Sequence, residues 1–384
     1  MFWIVLRFRS SRHQTINYSL QAYMIIRSIK PFDSDYLKGI GILIIMLHNY
    51  FHILNNAPGE NEFNFSWQHT LNFLENLYSM PLDIARQFFS YFGHFGVVLF
   101  IFLSGYGLAR KYSSEHAMPD YMDFILGRLR KLYPVLFFAI AFLFVYKAAI
   151  VLLRPGAAID LIQFVEEAAL KLTLLANLVP GQGFTVSGPW WFFSLLFQLY
   201  LLAPLVLRLP KKWLLAIIGF SWAVQLVILV AAPAYMEYAR LNFIGHMPEF
   251  YLGIYFAKYN SVKIRNGWLA LIGLLFIASW FNQYIWITAN VLAALLMLAA
   301  YNPIIPKPDS LLTKFFLFFG RNSLYFFTVH GLCRAPFVPM GNVSVSGSVG
   351  AAVLYLLVVT VLSLVFKYLV TTITSFGRPV NASL

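Results

Sequence analysis

Long apolar runs separated by short charged islands recur along the whole chain. They fall at 36–55, 88–109, 134–153, 190–207, 213–232, 243–257, 268–282, 285–302, 315–333 and 350–370. A helix needs about 20 residues to cross hydrocarbon, and only helices and closed barrels satisfy their own backbone there. The pattern therefore predicts an all-α fold, a polytopic transmembrane helical bundle of about ten spans. Segment 161–179 differs, because Glu166, Glu167 and Lys171 make it amphipathic. It is expected to lie on the surface or dip in rather than cross. No second copy of the first run's pattern occurs, so the internal symmetry of many transporters is not visible.

Charge orients the bundle. Arg27 and Lys30 precede the first run, and Arg110, Lys111, Arg128, Arg130 and Lys131 lie between the second and third. Arg208, Lys211 and Lys212 follow the fourth, Lys258, Lys263 and Arg265 the sixth, Lys307 and Lys314 the eighth, and Arg378 the tenth. The alternate connections are acidic or mixed: 56–87 carries Glu60, Glu62, Glu75 and Asp83 against Arg86. Cytoplasmic loops collect Lys and Arg, which places both termini in the cytoplasm. Counting 161–179 as a span would break the alternation.

Composition narrows the class further. With 60% hydrophobic and 11% charged residues among 384, and a mean hydropathy of +0.71, the chain is far below the roughly 25% charge of soluble domains. The net charge of +13 reads as membrane orientation, not as a nucleic-acid footprint. The single cysteine, Cys333, excludes an internal disulfide and a cysteine zinc site. Residues 31–384 read as one transmembrane domain preceded by an extension, 1–30. Arg7, Arg9 and Arg12 follow the short apolar start, an order wrong for a signal peptide. Two readings of the extension stand: a disordered or interfacial cytoplasmic segment, or a stretch that is not translated, with the start at Met24.

The most informative chemistry lies in the first run, where Asp35 and Lys38 are followed, ten residues after Lys38, by His48. Ionisable groups cost roughly 2.5–3.5 kcal/mol at a helix centre on insertion scales, so their presence there marks a functional site. At 1.5 Å per residue, Lys38 and His48 stand about 15 Å apart along the axis and act at different depths. Asp35 and Lys38 share a face at i, i+3, where pairing at the water boundary and catalysis are equally open. His48 and His52 have the spacing of a zinc pair, but no nearby motif supplies a third ligand, and no metal is expected. Glu249 sits in an apolar run beside Pro248 and needs a partner, with His246, Arg240 and Arg334 as candidates. His94 reads as a packing residue and Ser104 as a helix–helix contact.

Five blocks together resemble the membrane-bound acyltransferase-3 family. They are Asp35 to His48, Phe100 to Leu108 with Ser104-Gly105-Tyr106, Phe124 to Pro134 with Arg128 and Lys131, Gly188 to Pro204 with Trp190-Trp191 and Tyr200, and Gly320 to His330. His246-Met-Pro-Glu249-Phe-Tyr-Leu-Gly253 is a weaker sixth. The resemblance implies about ten spans, a cytoplasmic acyl-CoA donor, usually acetyl-CoA, and transfer to a hydroxyl, mostly of a cell-surface saccharide. Three departures stand out: Lys38 replaces the family's usual Arg, Lys131 replaces the second Arg of a pair, and Leu196-Phe197-Gln198 stands where one subfamily has Glu-Glu-Gln. Lysine keeps the charge and loses the bidentate fork.

That chemistry needs a base, an oxyanion partner and a grip on phosphates. His48 is the candidate general base. Arg128 and Lys131, three apart on one helical face, are candidates for the CoA phosphates, with Arg130 adding to the field and Lys38 on the same side; lipid anchoring is the plainer alternative for this basic group. Asp35, Glu249, His330, Trp191 and Tyr200 are candidates for substrate contact or structural support. Trp190 and Trp191 lie where aromatic belts form, and stacking on a sugar ring is a secondary idea.

The expectation is an integral-membrane O-acyltransferase of the bacterial inner membrane. It moves an acyl group, acetyl by preference, from acyl-CoA to a saccharide or lipid-linked saccharide among membrane lipids, without nucleic acid. The alternative is a carrier or exporter of lipid or saccharide.

Overall fold

The computed structural model describes residues 23–113, 118–153, 160–259 and 261–376. The extension up to residue 22, with Arg7, Arg9 and Arg12, and Arg378 lie outside them. Tyr23–Arg27 forms β1, paired antiparallel with β2, Ser261–Arg265. The last part of the expected extension is thus tied to the loop after the sixth run.

The helices are α1 Pro31–Phe51, α2 Trp67–Ser79, α3 Ile84–Phe92, α4 Phe95–Ser113, α5 Tyr121–Leu153 and α6 Leu161–Leu172. Then come α7 Trp191–Leu207, α8 Lys211–Ala231, α9 Met236–Leu241, α10 Phe243–Ala257, α11 Asn266–Ala278 and α12 Gln283–Trp286. Last are α13 Ala289–Tyr301, α14 Leu311–Arg321, α15 Ser323–Cys333, α16 Val338–Gly341 and α17 Val345–Phe376.

Helix starts follow local chemistry. Pro31 opens α1, and Asp33 turns back to accept the Lys30 N–H at 3.0 Å, filling one of the donors a helix start leaves free. Tyr301 and Arg27 also reach Asp33, which fastens α1 to α13 and β1. The Asp160 carboxylate accepts the Gln163 N–H and starts α6, whose 12 residues span about 18 Å, too short to cross.

Pro134 does not begin a helix, as the apolar run suggested; it lies inside α5, which starts thirteen residues earlier and carries Arg128, Arg130 and Lys131 on regular helix. The run 315–333 is not one helix either. The Asn322 side chain donates to the Phe318 carbonyl at 2.8 Å and accepts from Lys367 Nζ at 2.8 Å. A side chain that takes over a backbone partner in this way ends the helical ladder, so α14 stops and α15 starts anew.

Among the described residues, four helical segments are long and apolar enough to cross a membrane: Tyr121–Leu153, Gly188–Leu207, Lys211–Ala231 and Val345–Ser375. The pair Pro81–Phe92 and Phe95–Tyr112, bent by 44°, makes a fifth if it is one span. Helices α11, α13 and α15 are apolar but shorter. Helix length and apolarity therefore do not establish the expected ten crossings. Only 22–33% of the apolar windows of α5, α8 and α17 is buried, against 67% for α7. The first three thus present an apolar perimeter, and α7 runs inside it.

The interior is set by glycine. A Cβ on Gly105 of α4 would stand 2.1 Å from the Phe250 carbonyl oxygen, and one on Gly253 of α10 would stand 2.1 Å from that of Phe102. Each helix thus admits the other's backbone, the close approach that small residues permit in membranes. Gly39 and Gly320 do the same between α1 and α14.

Candidate functional site

Two cavities lie along α1. The larger, about 620 Å³, is lined by His48, His52, Glu60, Glu62, Trp191 and Arg334 among others. The smaller, about 320 Å³, is lined by Lys38, Lys111, Arg128, Lys131, Ser104 and Tyr200, with no carboxylate in its wall among the described residues.

His48 is buried on the last full turn of α1. Its Nδ1 lies 2.9 Å from the Phe89 carbonyl, which can only accept, so Nδ1 carries hydrogen. Its Nε2 lies 2.7 Å from Glu60 Oε2. Burial alone would lift the Glu60 carboxyl, but the charge and hydrogen bond of His48, helped by His52 and His94, bring it down to about 2. An ionised carboxylate at 2.7 Å requires a donor, so Nε2 is also protonated at rest and the pair is imidazolium–carboxylate. Glu62, beside it, is held well above the usual carboxylate range by burial and by the Glu60 charge.

Glu60 belongs to the connection between α1 and α2 and is fixed through its neighbours. Gly59 takes φ +86°, and a Cβ there would meet the His69 ring at 2.5 Å. The Trp286 indole donates to the Asn61 carbonyl at 2.6 Å, and Arg240 Nε donates to the Glu62 carbonyl at 3.1 Å. Sequence reasoning missed Glu60 by counting it only as topological charge. The signal was an acidic residue beside a glycine, shortly after a histidine-bearing run.

Glu60 also supplies the third ligand type that the sequence lacked: one donor atom each of His48, His52 and Glu60 lies within 4.8 Å of the others. Two ligands tetrahedral on zinc at 2.0–2.1 Å stand about 3.3 Å apart. The 2.7 Å spacing of His48 and Glu60 is shorter than that and is the distance of a contact ion pair.

In the smaller cavity the Arg128 guanidinium lies over the rings of Phe124 and Tyr200, at 4.9 and 5.4 Å, and donates to Tyr112 Oη at 3.2 Å. Its buried Nε–H has no acceptor among the described residues. Tyr200 Oη lies 3.3 Å from Ser104 Oγ. This is a cationic basin with rigid, incompletely satisfied donors, suited to a multivalent anion.

The remaining candidates divide. Trp191 lines the larger cavity and stacks on His246 at 5.5 Å. Trp190 is fully buried and donates to the Thr328 carbonyl, so it is unable to stack on a sugar. Arg130 is exposed and outside the smaller cavity's lining. Asp35 pairs with Lys38 at 3.7 Å and Arg321 at 3.6 Å and is not itself in the lining of either cavity. His330 is buried against the Phe327 carbonyl at 2.8 Å and lines neither cavity. Glu249 is fully buried and takes His246 at 2.6 Å and Asn290 at 2.9 Å; Asn290 in turn accepts from Arg240 at 3.2 Å. Arg334 is free of Glu249 and bonds Asn49 at the wall of the larger cavity.

Comparison with known families decides the class: the acyltransferase-3 family model, described as an acyltransferase domain, matches residues 32–372. The chain belongs to the acyltransferase-3 family. The match runs from the first turn of α1 into α17, so both cavities lie within the acyltransferase domain. No curated protein and no solved structure matches the chain. As a member of this family with several long apolar helices, it is an integral membrane protein.

Proposed function

We propose that this acyltransferase moves an acyl group, acetyl by preference, from acyl-CoA in the smaller cavity to a hydroxyl held in the larger one. The observation that carries the reading is the pairing of a basin lined by four basic side chains with a buried His–Glu pair, the two placed along α1 by Lys38 and His48. Lys38, Lys111, Arg128 and Lys131 take the CoA phosphates from the cytoplasmic side of a bacterial inner membrane, with both termini on that side. The acceptor is a saccharide or its lipid-linked precursor. Trp191 and Phe63, edge to face at 5.2 Å, offer it a ring surface, and Arg334 is the fixed cation available to the oxyanion.

His48 is the general base once the pair has lost its resting proton. The acceptor oxygen attacks the thioester carbon, Nε2 takes the hydroxyl proton, and the C–S bond breaks. The proton then goes to the CoA thiolate. Glu60 stabilises the ring's protonated form, and the Phe89 carbonyl, accepting from Nδ1, keeps the ring oriented in both forms.

Purified protein in micelles should bind CoA and consume acetyl-CoA; a carrier would do neither. Arg128→Ala removes a charge-assisted contact and should weaken CoA binding by about ten- to a hundredfold by calorimetry. Unchanged affinity would return Arg128 to lipid anchoring. EDTA or phenanthroline should leave turnover unchanged, and a loss restored by zinc would make His48, His52 and Glu60 a metal centre instead.

A further inference from the structure

The two cavities come within one layer of side chains of each other. On α4, Val97 lines the larger and Phe100 the smaller, about 4.5 Å apart along the axis. On α7 the change occurs between adjacent residues, Trp191 and Phe192. Phe327 lines both. The residue is 5% exposed, and its ring packs on Phe192 at 4.9 Å and Phe193 at 6.0 Å.

Its backbone is held while its side chain faces the two voids. The Phe327 carbonyl accepts from His330 Nδ1 at 2.8 Å, which fixes the turn. Long helical side chains lean toward the preceding turn, over the residue four positions earlier. That residue is Ser323, small and itself in the wall of the smaller cavity. A small residue at the cavity wall on that side puts the least side-chain bulk in the way of a ring that turns toward the smaller cavity.

We propose that Phe327 is a positioning residue and gate: its ring closes the passage between the cavities, and the thioester-bearing arm of acyl-CoA displaces it to bring the carbonyl carbon to His48. The inference rests on reading the smaller cavity as the donor site. It also assigns the ring a second duty, keeping water of the larger cavity from the thioester while no acceptor is bound.

The test uses the full chain in micelles and in membranes, with CoA and labelled acetyl-CoA as probes and Phe327→Trp, Phe327→Leu and Phe327→Ala as variants. Phe327→Trp should leave the CoA Kd and the KM for acetyl-CoA within about twofold while kcat for acetyl incorporation into membranes falls at least about tenfold. Phe327→Ala, and Phe327→Leu to a smaller degree, should gain acetyl-CoA hydrolysis without acceptor. There water attacks the carbonyl, and acetate and the CoA thiol leave. A Phe327→Trp enzyme that binds CoA and turns over like wild type overturns the gate, as do folded Phe327→Ala and Phe327→Leu enzymes with no added hydrolysis. Failure of the wild type to bind CoA is a separate result: it removes the donor reading, and the gate falls with it.

Discussion

His48→Ala is expected to lower kcat/KM for acyl transfer by about 10²–10⁴-fold, the usual contribution of a positioned general base. The CoA Kd should stay near the wild-type value, because His48 and the cationic basin line different cavities. Alanine also leaves the Glu60 carboxylate without its ring, so His48→Gln, which keeps a hydrogen-bonding group, is the companion variant and should show the same loss. Substantial activity in either folded variant would remove His48 from the chemistry. Glu60→Gln makes a different prediction. The ionised Glu60 carboxylate favours the protonated ring, and the base form requires that proton to leave. Wild-type activity should therefore rise with pH, and in Glu60→Gln the rise should shift to lower pH while the plateau falls. A pH profile of kcat/KM that does not move would reduce Glu60 to a packing role.

Lys38 and His48 stood out in the sequence because charge is rare in an apolar run and expensive to keep there, whereas Arg128 and Lys131 lie between runs and stood out by their spacing within a family-like block. Helix rise alone set Lys38 and His48 at different depths; that two separate cavities hold them is seen only in the fold. What was illegible has physical causes. Glu60 lies in a polar connection, where a carboxylate costs nothing by itself; its significance comes from a chain path that brings it back onto His48. The break at Asn322 is hidden because its neighbours remain apolar, and one amide side chain ends the ladder. The glycines in the family-like blocks looked like signature residues with unknown duties. Gly105, Gly253 and Gly320 turn out to be where helix backbones meet. His330, Trp190 and Glu249 share those blocks, yet they are packed residues outside both cavity linings.

Arg240→Ala is expected to be the most destabilising single change in the interior, by about 3–5 kcal/mol, the range for removing one partner of a buried charge pair. Arg240 is 1% exposed, lies under the Trp286 ring at 4.8 Å, and donates to the Glu62 carbonyl, Gln225 Oε1 and Asn290 Oδ1. Asn290 passes the interaction on, donating to the fully buried Glu249 at 2.9 Å. Guanidinium and carboxylate are thus coupled through an amide rather than in direct contact, and both side chains are buried. Arg240→Lys should rescue little, since one ammonium is unable to reach three acceptors spread over a planar fork. Arg240→Met combined with Glu249→Gln removes both charges and should recover much of the loss, read as the midpoint of thermal unfolding in micelles. Activity should not return with stability, because the Glu62 carbonyl, two residues from Glu60, would still lack its anchor. A double variant that is both stable and fully active would show that the His48–Glu60 pair forms without Arg240, and the link from the buried charge network to the site would be wrong.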